Sequence, residues 1–600
     1  MNLPMTLSSK SLFTSSRASI SSSFKTISQI EIAKTIANCV PLIPEHHKWS
    51  IHDVYHKLRF SNTTTPPFKQ LNHLTKPCTP NDHISKEHER KVKAFKRIFN
   101  IVGEDPIESL VIIDAVQRLG IDHHFQEEIN TILQELYYTE ANNAHIGGGG
   151  GYFSHLHEVS LRFRLLRQQG CYVSPEVFDC FKDNNGKFKE NLGGDINGLM
   201  ALYEASHLCL EGESLLQEAR ECSAQLLKTI VTNLNHSQAT MVEHTLSHPH
   251  HKSFSKFTGK KYLSHGFQDT NNGWLNILKG LAKIDFDMAQ STYQKEIVQI
   301  SKWWEELGLA KEMSFARDQP LKWYIWSMAC ITDPSLSEER IDLTKSISFI
   351  YLIDDIFDLY GTQDELTLFT QVVNRWDYDA SEQLPHYMKI CFKALDDIIN
   401  EISFKIYKKH GWNPVESLRK SWGRLCSAFL VEGRWFASGY VPASEEYLKN
   451  GIISSGVHVV CVQLFFLLGR QDIITKQSVE IIDNDPAIVS STAQILRLWD
   501  DLGSAKDEDQ DGHDGSYLDY YLKEHQGCSV KDAEEHVMSK ISDAWKQLNK
   551  ECMTPTPFSQ CFIKATLNLA RMVPLMYSYD NNQRLPSLED NVKSILSIAL

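Results

Sequence analysis

From Asp105 to about Asn235 apolar residues recur at helical spacing, with short polar turns between the amphipathic stretches. Asp105-Pro106-Ile107 has the form of a helix start. Arg167-Gln168-Gln169-Gly170 closes one helix and Ser174-Pro175-Glu176 opens the next. Helical hairpins of this kind pack as an α-barrel or solenoid. The composition loosens between Ser253 and Trp274, which puts a domain boundary near residue 270, and helical patterning resumes after it. Gly456 to Leu468 is apolar almost throughout, but it carries His458 and Gln463 and is too short for a membrane span. It reads as a core helix. The expected fold class is all-α with two helical domains.

Within the second half, Ile350 to Gly361 reads I-Y-L-I-D-D-I-F-D-L-Y-G. It is apolar on nearly every side, yet it holds Asp354, Asp355 and Asp358. The run has the pattern of a buried helix closed by a glycine stop. Asp354 and Asp358 are four apart, so an α-helix stacks them on one face. Carboxylates this close repel each other, and burial raises the cost. Oxygen-only ligands suit a hard cation such as Mg²⁺, which keeps waters and substrate phosphates in its shell.

A second acidic cluster changes the weight of the first. Asp485-Pro486 reads as a helix start, with the aspartate as cap. On the helix that follows, Asp500, Ser504 and Glu508 recur every four residues and share one face, and Arg497 lies one turn before Asp500. Two acidic helix ends facing each other across Mg²⁺ would bind a diphosphate.

The segments D-D-I-F-D and D-D-L-G-S-A-K-D-E resemble the paired metal motifs of plant class I terpene synthases, over roughly residues 60 to 600. The resemblance implies an amino-terminal α-barrel-like domain over 60–270 and a catalytic α-bundle over 271–600. It implies Mg²⁺, three ions, with Mn²⁺ as a substitute, held by Asp354, Asp358, Asp500, Ser504 and Glu508. Asp355 then orients a neighbour. Arg317 matches the first position of the family's Arg-x-Arg segment, whereas Gln319 stands where the second arginine would be. Arg317 and Arg497 would hold the leaving diphosphate. By motif alignment Trp326 and Tyr577 take places on the cavity floor, where aromatic faces stabilise a carbocation by about 0.5 to 2 kcal/mol each. Ile347 and Tyr351 lie deeper on the Asp354 face, and Ser454-Ser455-Gly456 matches the family's helix break.

Trp49 has no Arg-Arg pair before it, which weakens the expectation of cyclic products, and Arg317-Asp318-Gln319-Pro320, without the tandem arginine, resembles the branch that makes acyclic products. The implied reaction ionises geranyl or farnesyl diphosphate. Water added at C3 gives linalool or nerolidol, and proton loss gives an olefin such as myrcene or ocimene. A chain-elongating prenyltransferase is disfavoured by Ser504 and Glu508, because those enzymes carry two aspartate-rich motifs. A non-catalytic isoprenoid-diphosphate binder is the reading from another class. The amino-terminal half lacks D-x-D-D and is read as a brace.

Composition narrows the setting. The chain has 600 residues, 42% of them apolar, and a formal charge of −14, which argues against nucleic acid and anionic membranes as partners. A monomer is expected. Thirteen unpatterned cysteines read as reduced thiols. The first 30 residues hold ten serines, three basic residues and no acid before Glu31, as in a plastid transit peptide over 1–35; without import the location would be cytosolic. Gly147 to Gly151 lacks a following Lys-Ser/Thr and reads as a loop. His157-Glu158 has Leu161 where a zinc motif needs histidine, and His244, His248, His250 and His251 cluster around Pro249 in a loop context.

Overall fold

The computed structural model describes residues 81–102, 105–145, 155–265, 273–504, 515–578 and 586–596. The expected leader, Trp49, the glycine run and the boundary near 270 fall outside them. Among the described residues there are helices and no strand, only an isolated antiparallel bridge between Lys182 and Phe188.

Local signals account for most helix ends in the first half. Asp105 accepts from the amides of Ile107 (2.9 Å) and Glu108 (3.3 Å), with Pro106 in the first helical position. The helix Leu156–Gln168 ends where its sequence predicts. Ser174-Pro175 opens only a 3₁₀ segment, Pro175–Phe181, not the expected α-helix. Asp183 stops it: the carboxylate accepts from the amides of Asn185 (2.9 Å) and Lys187 (3.0 Å), folding the polar D-N-N-G into a turn.

The helices that frame the site are α1 (Asn81–Val102), α2 (Ser255–His265), α3 (Leu275–Leu307), α4 (Pro320–Cys330) and α5 (Ser337–Asp355). They are followed by α6 (Val415–Ser438), α7 (Ser444–Ser454), α8 (Val457–Leu468), α9 (Ala487–Ser504) and α10 (Gln560–Tyr577). Two hydrophobic cores result, and they do not divide at one residue. Leu278 and Leu281 of α3 belong to the first core; Tyr293, Ile297, Ile300 and Trp304 of the same helix belong to the second. At about 1.5 Å per residue this helix runs roughly 50 Å and stiffens the join. Polar contacts pin it further: Asn549 donates to the carbonyls of His207 and Cys209, both at 3.0 Å, and Lys564 pairs with Asp122 at 2.6 Å.

Every residue of α4 is buried, packed against α3, α5 and α10. The stretch Ser444–Leu468 is long and apolar enough to cross a membrane. It is interrupted at Ser455-Gly456, however, and 78% of its apolar window is buried inside the protein, as a core helix would be. The cysteines among the described residues are free thiols.

Candidate active site

The first acidic ridge grows out of α5. Its start is pinned by a buried ion pair, Arg340 Nη2 to Glu296 Oε1 of α3 at 2.7 Å, and Tyr324 of α4 donates to Glu296 Oε2 at 2.7 Å. The buried hydroxyls of Thr344 and Ser348 return to carbonyls in their own helix, so an apolar environment tolerates them. The ridge then departs from the expected α-register. Ile356–Tyr360 is a π-turn, closed by the Gly361 amide on Ile356 O at 2.8 Å. A π-turn takes more residues per circuit, so Asp358 does not stack squarely over Asp354. Asp355 is buried, Asp354 half-buried and Asp358 exposed. Gly361 is also not a left-handed stop, since its φ is −68°; a Cβ there would sit 2.5 Å from Leu366 Cδ2, so crowding demands the glycine.

Arg317, at the entrance to α4, neutralises this ridge. Its amide donates to Asp355 Oδ2 at 2.6 Å, and its Nε lies 2.7 Å from Asp355 Oδ1. Its Nη2 pairs with Asp354 and reaches Tyr351 O at 3.3 Å. Its guanidinium also lies 4.9 Å from the centre of the Tyr351 ring. Against burial, Asp355 and Asp354 hold the guanidinium well above its ordinary pKa. Asp318 points elsewhere and accepts from Trp304 Nε1 at 3.1 Å.

The second ridge is α9. Asp485 is not its cap. Asp485 takes a left-handed φ of 49° and pairs with Arg424, while the Pro486 carbonyl accepts the first helical bond, from Ser490 N at 3.1 Å. Arg497 places Nη1 3.3 Å from Asp500 Oδ2, Nη2 3.1 Å from Ser454 Oγ and Nε 3.3 Å from Gly451 O. A Cβ at Gly451 would stand 3.0 Å from Arg497 Cγ, so the arginine lies flat along a glycine. Asp501 faces inward, accepting from Tyr447 Oη (3.0 Å) and the Tyr517 amide (2.9 Å), and burial pushes its carboxyl up to about 7. Ser504 is the last residue of α9; Glu508 lies outside the described residues.

The break between α7 and α8 lies against both ridges, touching Ile350 of α5 and Arg497 of α9. Gly456 adopts φ 72°, and a Cβ there would meet Ile350 Cγ2 at 2.8 Å. Gly456→Ala is therefore expected to cost about 1–3 kcal/mol, read as a lower midpoint in urea. An unchanged midpoint would mean that the break tolerates a side chain.

Electrostatics report how the ridges face each other. Burial raises the Asp500 carboxyl, Arg497 opposes the rise, and Asp354 on the other ridge adds to it. Burial also lowers the Lys322 ammonium to about 8, with Arg317 adding to the fall and Asp500 and Asp355 opposing it. Lys322 Nζ lies 5.8 Å from the centre of the Tyr351 ring, so two cations share one aromatic ring. Beneath them Trp326 Nε1 donates to Tyr351 Oη at 3.0 Å, and the Trp326 and Tyr577 rings lie 6.3 Å apart. Ile347 is buried on the same helix.

Sequence reasoning missed Lys322 and Glu432. Lys322 had a signal, a single lysine inside the apolar run P-L-K-W-Y-I-W. Glu432 on α6 had none. It accepts from Ser454 Oγ (2.6 Å) and Asn450 Nδ2 (2.9 Å), and only the folded chain sets it within reach of Arg497 and Asp354. Gln319 is buried, a neutral amide at the position of the family's second arginine.

The donors on the ridges are carboxylate and hydroxyl oxygens, a set that fits a hard divalent cation. Family models match along the chain: "Terpene synthase, N-terminal domain" over residues 65–246 and "Terpene synthase family, metal binding domain" over 305–547. An (E)-nerolidol synthase of Cannabis sativa is 55% identical over 502 residues, covering 82% of this chain and 89% of its own. An S-(+)-linalool synthase, chloroplastic, of Arabidopsis thaliana is 50% identical over 513 residues, covering 85% and 88%. Among solved structures, isoprene synthase from grey poplar leaves (Populus x canescens), in complex with three Mg²⁺ ions and dimethylallyl-S-thiolodiphosphate, superposes with TM-score 0.78 at 34% identity. That match covers 86% of this chain and 98% of the other. The chain belongs to the terpene synthase family, with its two-domain class I helical fold and its activity as a carbon–oxygen lyase acting on phosphates.

Proposed function

We propose that this enzyme ionises geranyl diphosphate and releases the acyclic tertiary alcohol linalool, and that it gives nerolidol from farnesyl diphosphate. The observation that carries the reading is the pairing of Asp354 with Arg317 and of Asp500 with Arg497 on separate helices, with Arg317 and Lys322 both over the Tyr351 ring, Trp326 bonded to that tyrosine and Tyr577 against Trp326. The names of the Cannabis and Arabidopsis relatives support the product class. The chloroplastic name of the Arabidopsis relative supports plastid import of the serine-rich amino terminus, and with it the ten-carbon substrate.

Asp354, Asp358, Asp500, Ser504 and Glu508 would hold Mg²⁺, three ions as in the poplar structure. The bound metal offsets the charge that develops on the leaving diphosphate. Arg317 and Arg497 present N–H donors to the same oxygens. The faces of Trp326, Tyr351 and Tyr577 steady the allylic cation. Water adding at C3 and losing a proton leaves the tertiary alcohol.

The test is incubation with geranyl or farnesyl diphosphate, with and without Mg²⁺. Linalool or nerolidol with pyrophosphate, only when metal is present, is the expected result. A longer prenyl diphosphate, or binding without turnover, would overturn it.

Lys322 takes the cationic place that Gln319 leaves open. Lys322→Met is expected to lower kcat/KM roughly 10- to 100-fold, the worth of one hydrogen bond to a charged group. It should also weaken inhibition by inorganic pyrophosphate, with partial recovery in Lys322→Arg. Undisturbed pyrophosphate inhibition would reduce Lys322 to a packing role.

A further inference from the structure

Far from the acidic ridges in sequence, three histidines converge on one carboxylate oxygen. Asp285 of α3 is buried, and its Oδ1 lies 2.7 Å from His124 Nε2, 3.5 Å from His88 Nε2 and 3.8 Å from His123 Nε2. His88 is on α1, and His123 and His124 end the 3₁₀ turn Asp122–His124. The His88 and His124 rings stand 4.9 Å apart, edge to face. Of the three imidazoles, His124 makes the short hydrogen bond to the carboxylate. His88 Nε2 and His123 Nε2 are buried and have no hydrogen-bond partner among the described residues, an expensive arrangement for imidazole.

We propose that His88, His124 and Asp285 form a binding site for a Zn²⁺-class divalent ion, which clips α1 and the 122–124 turn to α3. One ligand atom from each lies within 4.8 Å of the others. Zinc bonds of about 2.0–2.1 Å put neighbouring tetrahedral ligands roughly 3.3 Å apart. The 3.5 Å between His88 and Asp285 already fits that spacing. The 2.7 Å hydrogen bond of His124 opens by roughly 0.6 Å on binding, through rotation of the ring. Two imidazoles and a carboxylate select a borderline transition metal over Mg²⁺, so this site and the all-oxygen ridges do not compete for one ion.

The surroundings are compatible. Lys256 of α2 sits 3.4 Å from the other oxygen, Oδ2, and leaves Oδ1 to the imidazoles. Asp122 also lies nearby, its charge offset by Lys564 at 2.6 Å. His123 stands at the margin, outside the group of ligand atoms that can close on a single ion. The histidines around Pro249 do not form such a group among the described residues: the His244 and His248 rings lie 5.3 Å apart, and His251 bonds Asn549 at 2.8 Å.

The full chain is stripped of metal, its acidic ridges are saturated with Mg²⁺, and Zn²⁺ is titrated by calorimetry. One tight equivalent is expected in the wild type, weakened at least tenfold in His88→Ala. Zn²⁺ should raise the melting temperature of the wild type and not of the variant. If the variant folds poorly, Co²⁺ in the wild type alone decides: visible absorption of an imidazole-ligated ion is expected. An octahedral all-oxygen spectrum, absent Zn²⁺ binding, or equal binding by His88→Ala would overturn the site.

Discussion

Asp354→Ala is expected to lower kcat/KM roughly 100- to 1,000-fold while leaving the fold in place, the scale of removing one preorganised charge from a reacting site. The two halves of that expectation rest on different observations. Asp354 is the carboxylate of α5 whose charge reaches Asp500 across the gap between helices, so its loss would remove one wall of the proposed metal site. Stability is guarded elsewhere, by the Arg340 to Glu296 pair, the internally bonded hydroxyls of α5 and the second anchor of Arg317 on Asp355. Asp354 is about one-third exposed, and an ion pair of that exposure contributes at most about 1 kcal/mol. Product formation by gas chromatography and urea unfolding separate the two effects. Retained turnover would remove Asp354 from the machinery, and an unfolded variant would make it structural.

Arg317→Met is expected to injure both stability and catalysis. Asp355 is 4% exposed, and Arg317 supplies two of its contacts, the main-chain donor at 2.6 Å and the guanidinium at 2.7 Å. Methionine keeps the first and deletes the second, which strands a buried carboxylate. Breaking a buried pair costs about 3–5 kcal/mol; with the Arg317 side chain 30% exposed, the lower end applies. Turnover should fall at least as far as in Asp354→Ala, because the same guanidinium touches both aspartates and, in the proposed reaction, meets the diphosphate. Arg317→Lys keeps the charge but not the fork, so it should recover most of the stability and little of the turnover. Equal recovery of both would mean that charge alone is used there.

These expectations depend on which parts of the site were legible in one dimension. The acidic residues were legible because spacing and residue type are local: D-D-I-F-D is visible as a polar interruption of an apolar run, and Arg497 announces itself one turn before Asp500. The α-register through Asp358 was not legible. A π-turn leaves no mark in residue type, and the nearness of Leu366 that demands a glycine at position 361 shows only in the folded chain. Asp485 looked like a cap by residue type, but Arg424 from another helix took its carboxylate and the chain turned left-handed there. Glu432 carried no local mark, since its importance lies wholly in what stands next to it. The histidine-rich loop near Pro249 drew attention as a cluster in sequence, whereas the imidazoles that converge in space come from positions 88 and 124.

By itself the sequence determined the helical class, the two acidic segments, the unmatched Gln319 and the glycine that breaks α7 from α8. Each of these follows from interactions within a few turns of chain, where residue identity and spacing suffice. The folded structure alone decided that Arg317 is shared by Asp354 and Asp355, that Lys322 and Arg317 lie over the same tyrosine, and that Asp285 collects imidazoles from two distant segments. Such contacts depend on the packing of α3, α4 and α5. Charges separated by tens to hundreds of residues in the chain act on one another only after apolar burial has closed the distance and removed the water between them.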